Sequence, residues 1–361
     1  MAVFEQITSD DYEQVVFNYD KVSGLKAIVA IHSTALGPAL GGTRFYPYSS
    51  EEQALTDVLR LAKGMSYKAA AAGLDLGGGK AVIIGDPKRD KSEELFRAYG
   101  RFIETLGGRY ITAEDVGTAR EDMDLVRRET RWVTGVSQVY GGSGDPSPVT
   151  AFGVFQGLRA IAMELWNTAG LSGRRFAVQG VGKVGYALVK LLSEAGGSVT
   201  IADVDVDNLG TAVKDFGVDT VDLEEIYDVE CDVFVPCALG GVLSDQTIPR
   251  LRCAAVGGAA NNQLLTASHA KLLEDAGILY APDFIINAGG VINVADELRG
   301  YEQARALAQV EGIFHTVRRV FAIAKLEKIT TALAADRLAE ERVRNVGRIK
   351  LIQVGPRLGW T

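Results

Sequence analysis

Phe176-Ala-Val-Gln-Gly180-Val-Gly182-Lys-Val-Gly185 is the stretch that decides the fold. A short apolar run of strand character feeds three glycines, and a helical pattern opens behind them. In that context the first two glycines allow a tight turn and let the backbone approach a pyrophosphate. Asp203 closes the next predicted strand, Ser198-Val-Thr-Ile-Ala, roughly twenty residues on, where a carboxylate accepts hydrogen bonds from an adenosine ribose. The residues after it, Val204-Asp-Val-Asp, include no arginine to neutralise a 2'-phosphate, so NAD is expected over NADP. Val181, Lys183 and Val184 complete the turn. The glycine spacing alone also fits an ordinary strand-to-helix turn, and Asp203 alone an exposed turn residue. It is the order of strand, glycines, helix and acid that favours a dinucleotide site.

Further strands are predicted at Asp232-Val-Phe-Val-Pro, Ala254-Ala-Val-Gly and Ile278-Leu-Tyr-Ala, which makes a mostly parallel sheet. Upstream, Leu25–Ile31, Lys80–Ile84 and Tyr110–Thr112 read as strands. Ser50-Glu-Glu-Gln53 and Thr118-Ala-Arg-Glu121 read as capping boxes, where a hydroxyl and a Glu or Gln satisfy the free amides of a helix start. Gly141-Gly-Ser-Gly-Asp-Pro-Ser-Pro148 cannot hold a regular helix or a central strand, and the domain boundary is placed there. The expected organisation is α/β in two domains separated by a cleft. Residues 1–146 form an α/β substrate-binding and oligomerisation domain, and 147–330 a Rossmann-type NAD domain. The helical segment 331–348 begins a C-terminal stretch, 331–361, that returns to the first domain.

A second informative stretch is Lys68-Ala-Ala-Ala-Ala-Gly-Leu-Asp-Leu-Gly77-Gly-Gly-Lys80. Three consecutive glycines remove the side chains that would wall off a lysine, which suggests a pocket for a small anion and a reactive amine. Gly41 and Gly42, in Leu40-Gly-Gly-Thr-Arg44, would let a backbone amide reach a carboxylate, with Lys68 as the point charge. If Lys68 and Lys80 share a pocket partly closed to water, repulsion and desolvation both disfavour the second ammonium, and Lys80 can serve as a general base. A surface role for either lysine is the plain alternative. A phosphate-binding loop fails at Leu74 and Ala81, where Gly and Ser or Thr are required. Asp115 either faces the same site or caps the helix beginning near Thr118.

With 361 residues, 47% of them hydrophobic and 23% charged, the chain has the composition of a globular protein with about two cores. A net charge of -8 argues against nucleic acid as a partner. The N-terminus lacks a signal-peptide pattern and no run suits a membrane span, so a cytoplasmic protein is expected. Cys231, Cys237 and Cys253 fit a reducing compartment and match no zinc or redox spacing. His32, His269 and His315 lie in no metal-ligand pattern, and no metal is expected.

The motifs Gly77-Gly-Gly-Lys80, Ala259-Ala-Asn-Asn-Gln-Leu264 and Asn287-Ala-Gly-Gly-Val-Ile-Asn-Val-Ala-Asp296 are long and specific. Through nearly its whole length the chain resembles the amino acid dehydrogenases acting on leucine, valine, phenylalanine and glutamate. The resemblance implies that Lys68, with Gly41 and Gly42, holds a substrate carboxylate, that Lys80 is the base activating water, and that Asp115 moves protons to and from nitrogen. It implies that Asn262 meets substrate and cofactor, and that Arg44, Thr150, Ala238, Leu239, Ala260 and Asn261 join the glycine turn in binding NAD. Leu40, Met65, Ala113, Val291 and Val294 are implied around the substrate.

Leucine at position 40, where glutamate dehydrogenases carry lysine, makes glutamate a poor substrate. Ala113 and Val291, where phenylalanine dehydrogenases show Gly and Leu, favour a branched aliphatic side chain. The implied reaction is NAD-dependent oxidative deamination of leucine, valine or isoleucine to a 2-oxo acid and ammonia; a valine- or phenylalanine-preferring relative is the alternative. A non-catalytic NAD-sensing protein would lack one of Lys68, Lys80 or Asp115, and a 2-hydroxy acid dehydrogenase would want a His beside an acid. Homo-oligomers, commonly octamers, are implied. The apolar tail Ile349–Thr361 matches no motif and is expected to dock on a neighbouring subunit.

Overall fold

The structure, a computed structural model, describes residues 3–351. The docking expected of the tail falls largely on 352–361, outside the described residues. Two compact units are formed: one of residues 3–144, 294–301 and 338–351, the other of 145–293 and 302–337.

The division departs from the expected one in two places. Residues 294–301 belong to the first unit, because the Glu297 carboxylate accepts the amides of Gly135 and Ser143, each at 2.8 Å. The return begins at 338, inside the helix Thr331–Gly347. There Ala339 packs with Leu36 and Ala70, and Arg342 donates to the Leu74 carbonyl at 2.6 Å. The start of that helix stays with the second unit, where Ala332 packs against its core.

The first unit opens with helix α1 (Val3–Ser9) and holds a five-stranded sheet: β1 (Gln14–Asp20), β2 (Leu25–Ser33), β3 (Ala39–Tyr46), β4 (Gly77–Ile84) and β5 (Tyr110–Glu114), in the order β1-β2-β4-β3-β5. Helix α2 (Glu51–Ala71) covers one face, burying Ala54, Val58, Leu59 and Ala62 against Ile28, Ala30 and Val82. Helices α3 (Glu93–Thr105) and α4 (Arg120–Arg127) supply Phe96, Tyr99, Met123 and Val126 to the core against Ala81, Ile83 and Phe45. Strand alternation therefore sorts every side chain of β3, β4 and β5 onto the α2 side or the α3 side.

Ser50 caps α2 as expected, accepting from the Gln53 amide at 3.1 Å, but Gln53 reaches the Ser49 amide and not that of Ser50. The second expected box is displaced. Helix α4 starts at Arg120, its cap at Ala119 is closed by the Asp122 carboxylate at 2.8 Å, and Thr118 bonds the carbonyl of Thr43 instead.

The second unit begins with α5 (Ser147–Trp166), followed by β6 (Arg175–Gln179), α6 (Lys183–Glu194), β7 (Ser198–Ala202), α7 (Val206–Phe216), β8 (Asp219–Thr220), β9 (Val233–Pro236), β10 (Ala255–Val256) and β11 (Leu279–Tyr280). The sheet is entirely parallel, ordered β11-β10-β9-β6-β7-β8. Counted from β6 this is the doubly wound order 3-2-1-4-5-6, whose direction reverses between β6 and β9. Among the described residues, no helix is long and apolar enough to cross a membrane.

Candidate active site

In the first unit, alternation gathers the chemistry on one face. Thr43 and Thr112 point to the α3 side, where Thr43 Oγ1 meets the Tyr99 hydroxyl at 2.6 Å and Thr112 Oγ1 at 2.5 Å. Leu40, Gly42 and Arg44 on β3, Gly78 and Lys80 on β4, and Ala113 and Asp115 at the end of β5 therefore share the α2 side, in registers that pair Leu40 with Gly78 and Gly42 with Ala113.

Lys80 is not at the mouth of its strand. It is the fourth residue of β4 and only 6% exposed, which excludes the surface alternative. Its Nζ lies 2.9 Å from Asp115 Oδ2. Repulsion between two lysines left this carboxylate partner out.

The glycines are needed for close packing of the elements around the lysines. A Cβ on Gly78 would lie 2.0 Å from the Ser66 amide nitrogen of α2, and one on Gly41 would lie 1.8 Å from the Gly79 carbonyl oxygen. They let α2 settle directly on β4 and let β3 close on β4. Protein backbone, not an open anion pocket, fills the space they leave. Met65 and Lys68, three residues apart on one side of α2, are half-buried, and Leu40 and Ala113 are buried.

Asp115 does not cap a helix. Its amide donates to Thr118 Oγ1 at 2.8 Å, and its carboxylate also accepts from Arg44 Nε at 3.1 Å. Arg44 is held in turn by Asp57 Oδ2 at 2.8 Å, and Asp57 takes further bonds from the Tyr48 hydroxyl at 2.7 Å and from Arg60 at 3.0 Å. Burial pushes the Asp115 carboxyl upward, but the Lys80 and Arg44 cations outweigh it and hold the group below the usual carboxylate range.

The sign for stability follows from that depression. An acid depressed in the fold contributes stability above its unfolded value and loses it as pH falls through the folded value. Asp115→Asn is thus expected to cost on the order of 3 kcal/mol at neutral pH, by leaving Lys80 short of a counter-charge. It should also remove part of the stability lost below the ordinary carboxylate range. Melting midpoints against pH for the two proteins check this; parallel curves would contradict it.

Tyr48 and Asp57 were not singled out from the sequence. The Tyr48–Asp57 and Arg44–Asp57 bonds join α2 to residues before it, so no single helix or strand pattern announces them.

In the second unit the glycine turn lies between β6 and α6, at the reversal of strand order. Gly180 has φ +95°, and a Cβ there would lie 2.7 Å from that of Ala238. Gly185 lets the helix close on the turn, since a Cβ would meet the Gly180 carbonyl oxygen at 2.0 Å. The N-cap of α6 is Gly182, which supplies no capping side chain and has open space where a Cβ would be. Such uncapped amides at a bare helix start fit a pyrophosphate.

Val181 is buried, Gly182 and Lys183 are exposed and Val184 is half-buried. Asp203 follows β7 and ties the turn down, accepting from the Val181 amide at 2.6 Å and the Asp205 amide at 2.9 Å. Each oxygen keeps a lone pair for a ribose hydroxyl. The dinucleotide's groups therefore fit the residues present.

Around this turn, Ala238 and Leu239 are exposed, Leu239 at 77%, and Val204 is exposed beside Asp203. Asn262 is exposed with φ +52°, a left-handed conformation that asparagine tolerates better than most residues. Its loop is fastened from below. Buried Gln263 donates to the carbonyls of Gly258 and Ala260, and Asn287 donates to Asn261 Oδ1 at 2.9 Å. Ala260 is buried. Gln263 and Asn287 lie within the quoted motifs, yet their fastening role was not read there. Thr150, half-buried in the first turn of α5, bonds the Pro146 carbonyl at 3.0 Å. Val291 and Val294 are half-buried on the helix Gly289–Asp296, Val291 in the second unit and Val294 in the first.

The reversal point, the bare α6 start and the anchored acid define a dinucleotide-dependent oxidoreductase unit, joined in one chain to a unit with a buried lysine–carboxylate pair. A family model described as Glu/Leu/Phe/Val dehydrogenase, dimerisation domain, matches residues 12–132, and one described as Glutamate/Leucine/Phenylalanine/Valine dehydrogenase matches 141–209 and 204–309. The chain belongs to this family and is an amino acid dehydrogenase, of a kind that uses NAD or NADP.

It is 57% identical over 343 residues to a leucine dehydrogenase of Thermoactinomyces intermedius, covering 95% of this chain and 94% of that protein. It is 56% identical over 335 residues to a valine dehydrogenase of Streptomyces virginiae, covering 92% and 94%. Among solved structures, L-tryptophan dehydrogenase from Nostoc punctiforme aligns with a TM-score of 0.86 at 44% identity, over 96% of this chain and 99% of that one.

Proposed function

We propose that this chain catalyses the reversible, NAD-dependent oxidative deamination of branched-chain aliphatic L-amino acids, leucine with valine and isoleucine, to 2-oxo acids and ammonia. The observation that carries the reading is the buried Lys80 amine 2.9 Å from the Asp115 carboxylate, on the sheet face that also bears Leu40 and Ala113.

In this reading Lys68 holds the substrate carboxylate as a point charge. Leu40 and Ala113 offer the side chain an apolar wall that gives a distal carboxylate no partner. NAD, which the glycine turn and Asp203 would hold, would supply the acceptor for the hydride of the α-carbon. Asp115, ionised, accepts a proton from the substrate nitrogen, which leaves an iminium on the substrate. Lys80, once its ammonium has released a proton to solvent, takes a proton from water as the water oxygen attacks that carbon. Asp115 then returns a proton to nitrogen; the C–N bond of the carbinolamine breaks as its hydroxyl O–H electrons form the carbonyl, and the hydroxyl proton leaves with ammonia as ammonium, giving the 2-oxo acid. Arg44, anchored by Asp57, keeps the Asp115 carboxylate aimed while these protons move. With leucine and NAD, equal amounts of 4-methyl-2-oxopentanoate, ammonia and reduced cofactor should accumulate. Reduced cofactor without ammonia would reject deamination.

The preference for NAD over NADP rests on Asp203 and on the sequence Val204-Asp-Val-Asp after it, which carries no Arg or Lys. Asp203→Ala with Val204→Arg is expected to narrow the preference by about 1.5–3 kcal/mol, roughly ten- to a hundredfold, as repulsion of a 2'-phosphate is replaced by a charged hydrogen bond. Because Asp203 also anchors the Val181 amide, NAD itself should bind the variant more weakly. Dissociation constants for both nucleotides decide; a native protein that binds them equally would contradict the reading of Asp203.

The cytoplasm suits three free thiols. Self-association through the first unit is proposed on the dimerisation-domain match and on edge strand β1, where Phe17 and Tyr19 are exposed. Eight copies, the number the resemblance implies, is the value to test by light scattering.

A further inference from the structure

The second unit holds a chemical group that the reaction does not use. Strands β9 and β10 pair in parallel with Val233 opposite Ala255, and just before them Glu230 pairs with Arg252. Cys231 and Cys253 therefore stand opposite each other just before adjacent strands, and the Cys231 amide donates to the Arg252 carbonyl at 3.2 Å. Their register puts both side chains on the same face of the sheet. Neighbouring strands run about 4.8 Å apart, within the range of Cα separations that a disulfide spans. Both residues line a cavity of about 540 Å³ together with Arg175, Glu230, Arg252 and Ile248, so a small oxidant has a way in. Cys237 is not part of this pair. It follows the far end of β9, six residues from Cys231 and so roughly 20 Å away along an extended chain.

We propose that Cys231 and Cys253 are a peroxide-reactive dithiol that closes into a reversible intrachain disulfide just before β9 and β10. The sulfur that attacks is Cys253. It is the half-buried one of the two, Cys231 being buried, and the neighbouring thiol holds its titration below the ordinary thiol range while Cys231 is pushed upward by that neighbour and by burial. Cys253 thiolate attacks one oxygen of hydrogen peroxide. An S–O bond forms, the O–O bond breaks, hydroxide leaves and takes up a proton as water, and Cys253 becomes a sulfenic acid. Cys231 sulfur then attacks the Cys253 sulfur, the S–S bond forms as the S–O bond breaks, and the Cys231 proton departs with hydroxide as a second water. Two thiols lose two electrons and one peroxide gains them. The closure lies at the strand ends opposite the glycine turn, so it leaves the dinucleotide site intact. The sequence showed no redox motif because the pair is made by strand register and not by spacing along the chain.

The test treats the full-length protein with hydrogen peroxide, blocks remaining thiols under denaturing conditions and maps peptides without reduction. The expected result is a cross-linked peptide joining Cys231 to Cys253, a fall from three titratable thiols to one per chain, and recovery of all three with dithiothreitol. In Cys231→Ser, Cys253 has no resolving partner and should be trapped by dimedone as a sulfenic acid. In Cys253→Ser, Cys231 should stay unlabelled. Three persisting thiols in the native protein, a bridge involving Cys237 or a second chain, sulfinic acid at Cys253 beside a reduced Cys231, or dimedone on Cys231 in Cys253→Ser would each overturn the proposal.

Discussion

Lys80→Ala lowers turnover by about 10²–10⁴-fold while leaving dinucleotide affinity unchanged, because a general base acts on the transition state and not on adenosine recognition. The fold should tolerate the change, since Asp115 keeps Arg44 at 3.1 Å after its lysine partner is gone. Lys80 pairs with Asp115 of the first unit, whereas the glycine turn is anchored by Asp203 within the second, so binding and turnover are separable readouts. Stopped-flow measurement of the chemical step beside a nucleotide binding isotherm checks both halves. Near-normal turnover would eliminate Lys80 as the base, and a parallel loss of nucleotide affinity would point to damage beyond it.

Lys68→Ala acts on the other side of the kinetic scheme. Removing the cation that pairs with a desolvated substrate carboxylate is expected to cost about 2–5 kcal/mol, so the Michaelis constant for the amino acid should rise by roughly thirtyfold or more. The constant for NAD should hardly move. An amino acid constant within error of the native value would reject the anchoring role and return Lys68 to an ordinary half-buried helix residue.

How legible each part was in the sequence depends on whether its cause is local. The β6–turn–α6 unit was read closely because its glycines, its strand and its acid sit together, and Gly180 and Gly185 are needed there for contacts within a few residues or one strand away. Strand β3 was missed. Leu40-Gly-Gly-Thr looks like loop by propensity, and it is a strand because β4 and β5 bond it on both sides. The same non-local closeness explains why Gly77–Gly79 were taken for a pocket lining when they belong to β4. Lys80 and Asp115 were both chosen from the sequence, but their direct pairing was not, since it depends on the register of β4 beside β3 and of β3 beside β5. Arg44 was assigned to the cofactor, and its bonds to Asp57 and Asp115 went unforeseen because they cross from β3 to α2 and to the end of β5. At Thr118, a box pattern on the page lost to a better partner in space, the Thr43 carbonyl.

The central claim is that an apolar-walled site with a buried amine deaminates branched aliphatic amino acids with NAD. Its most direct test is the specificity constant for reduction of NAD and of NADP with L-leucine, L-valine, L-isoleucine, L-phenylalanine and L-glutamate, followed by the absorbance of the reduced cofactor. The highest values are expected for the three branched aliphatic substrates with NAD, a lower one for phenylalanine, and little activity with glutamate or with NADP. A highest value for glutamate or phenylalanine, or equal use of the two cofactors, would contradict it.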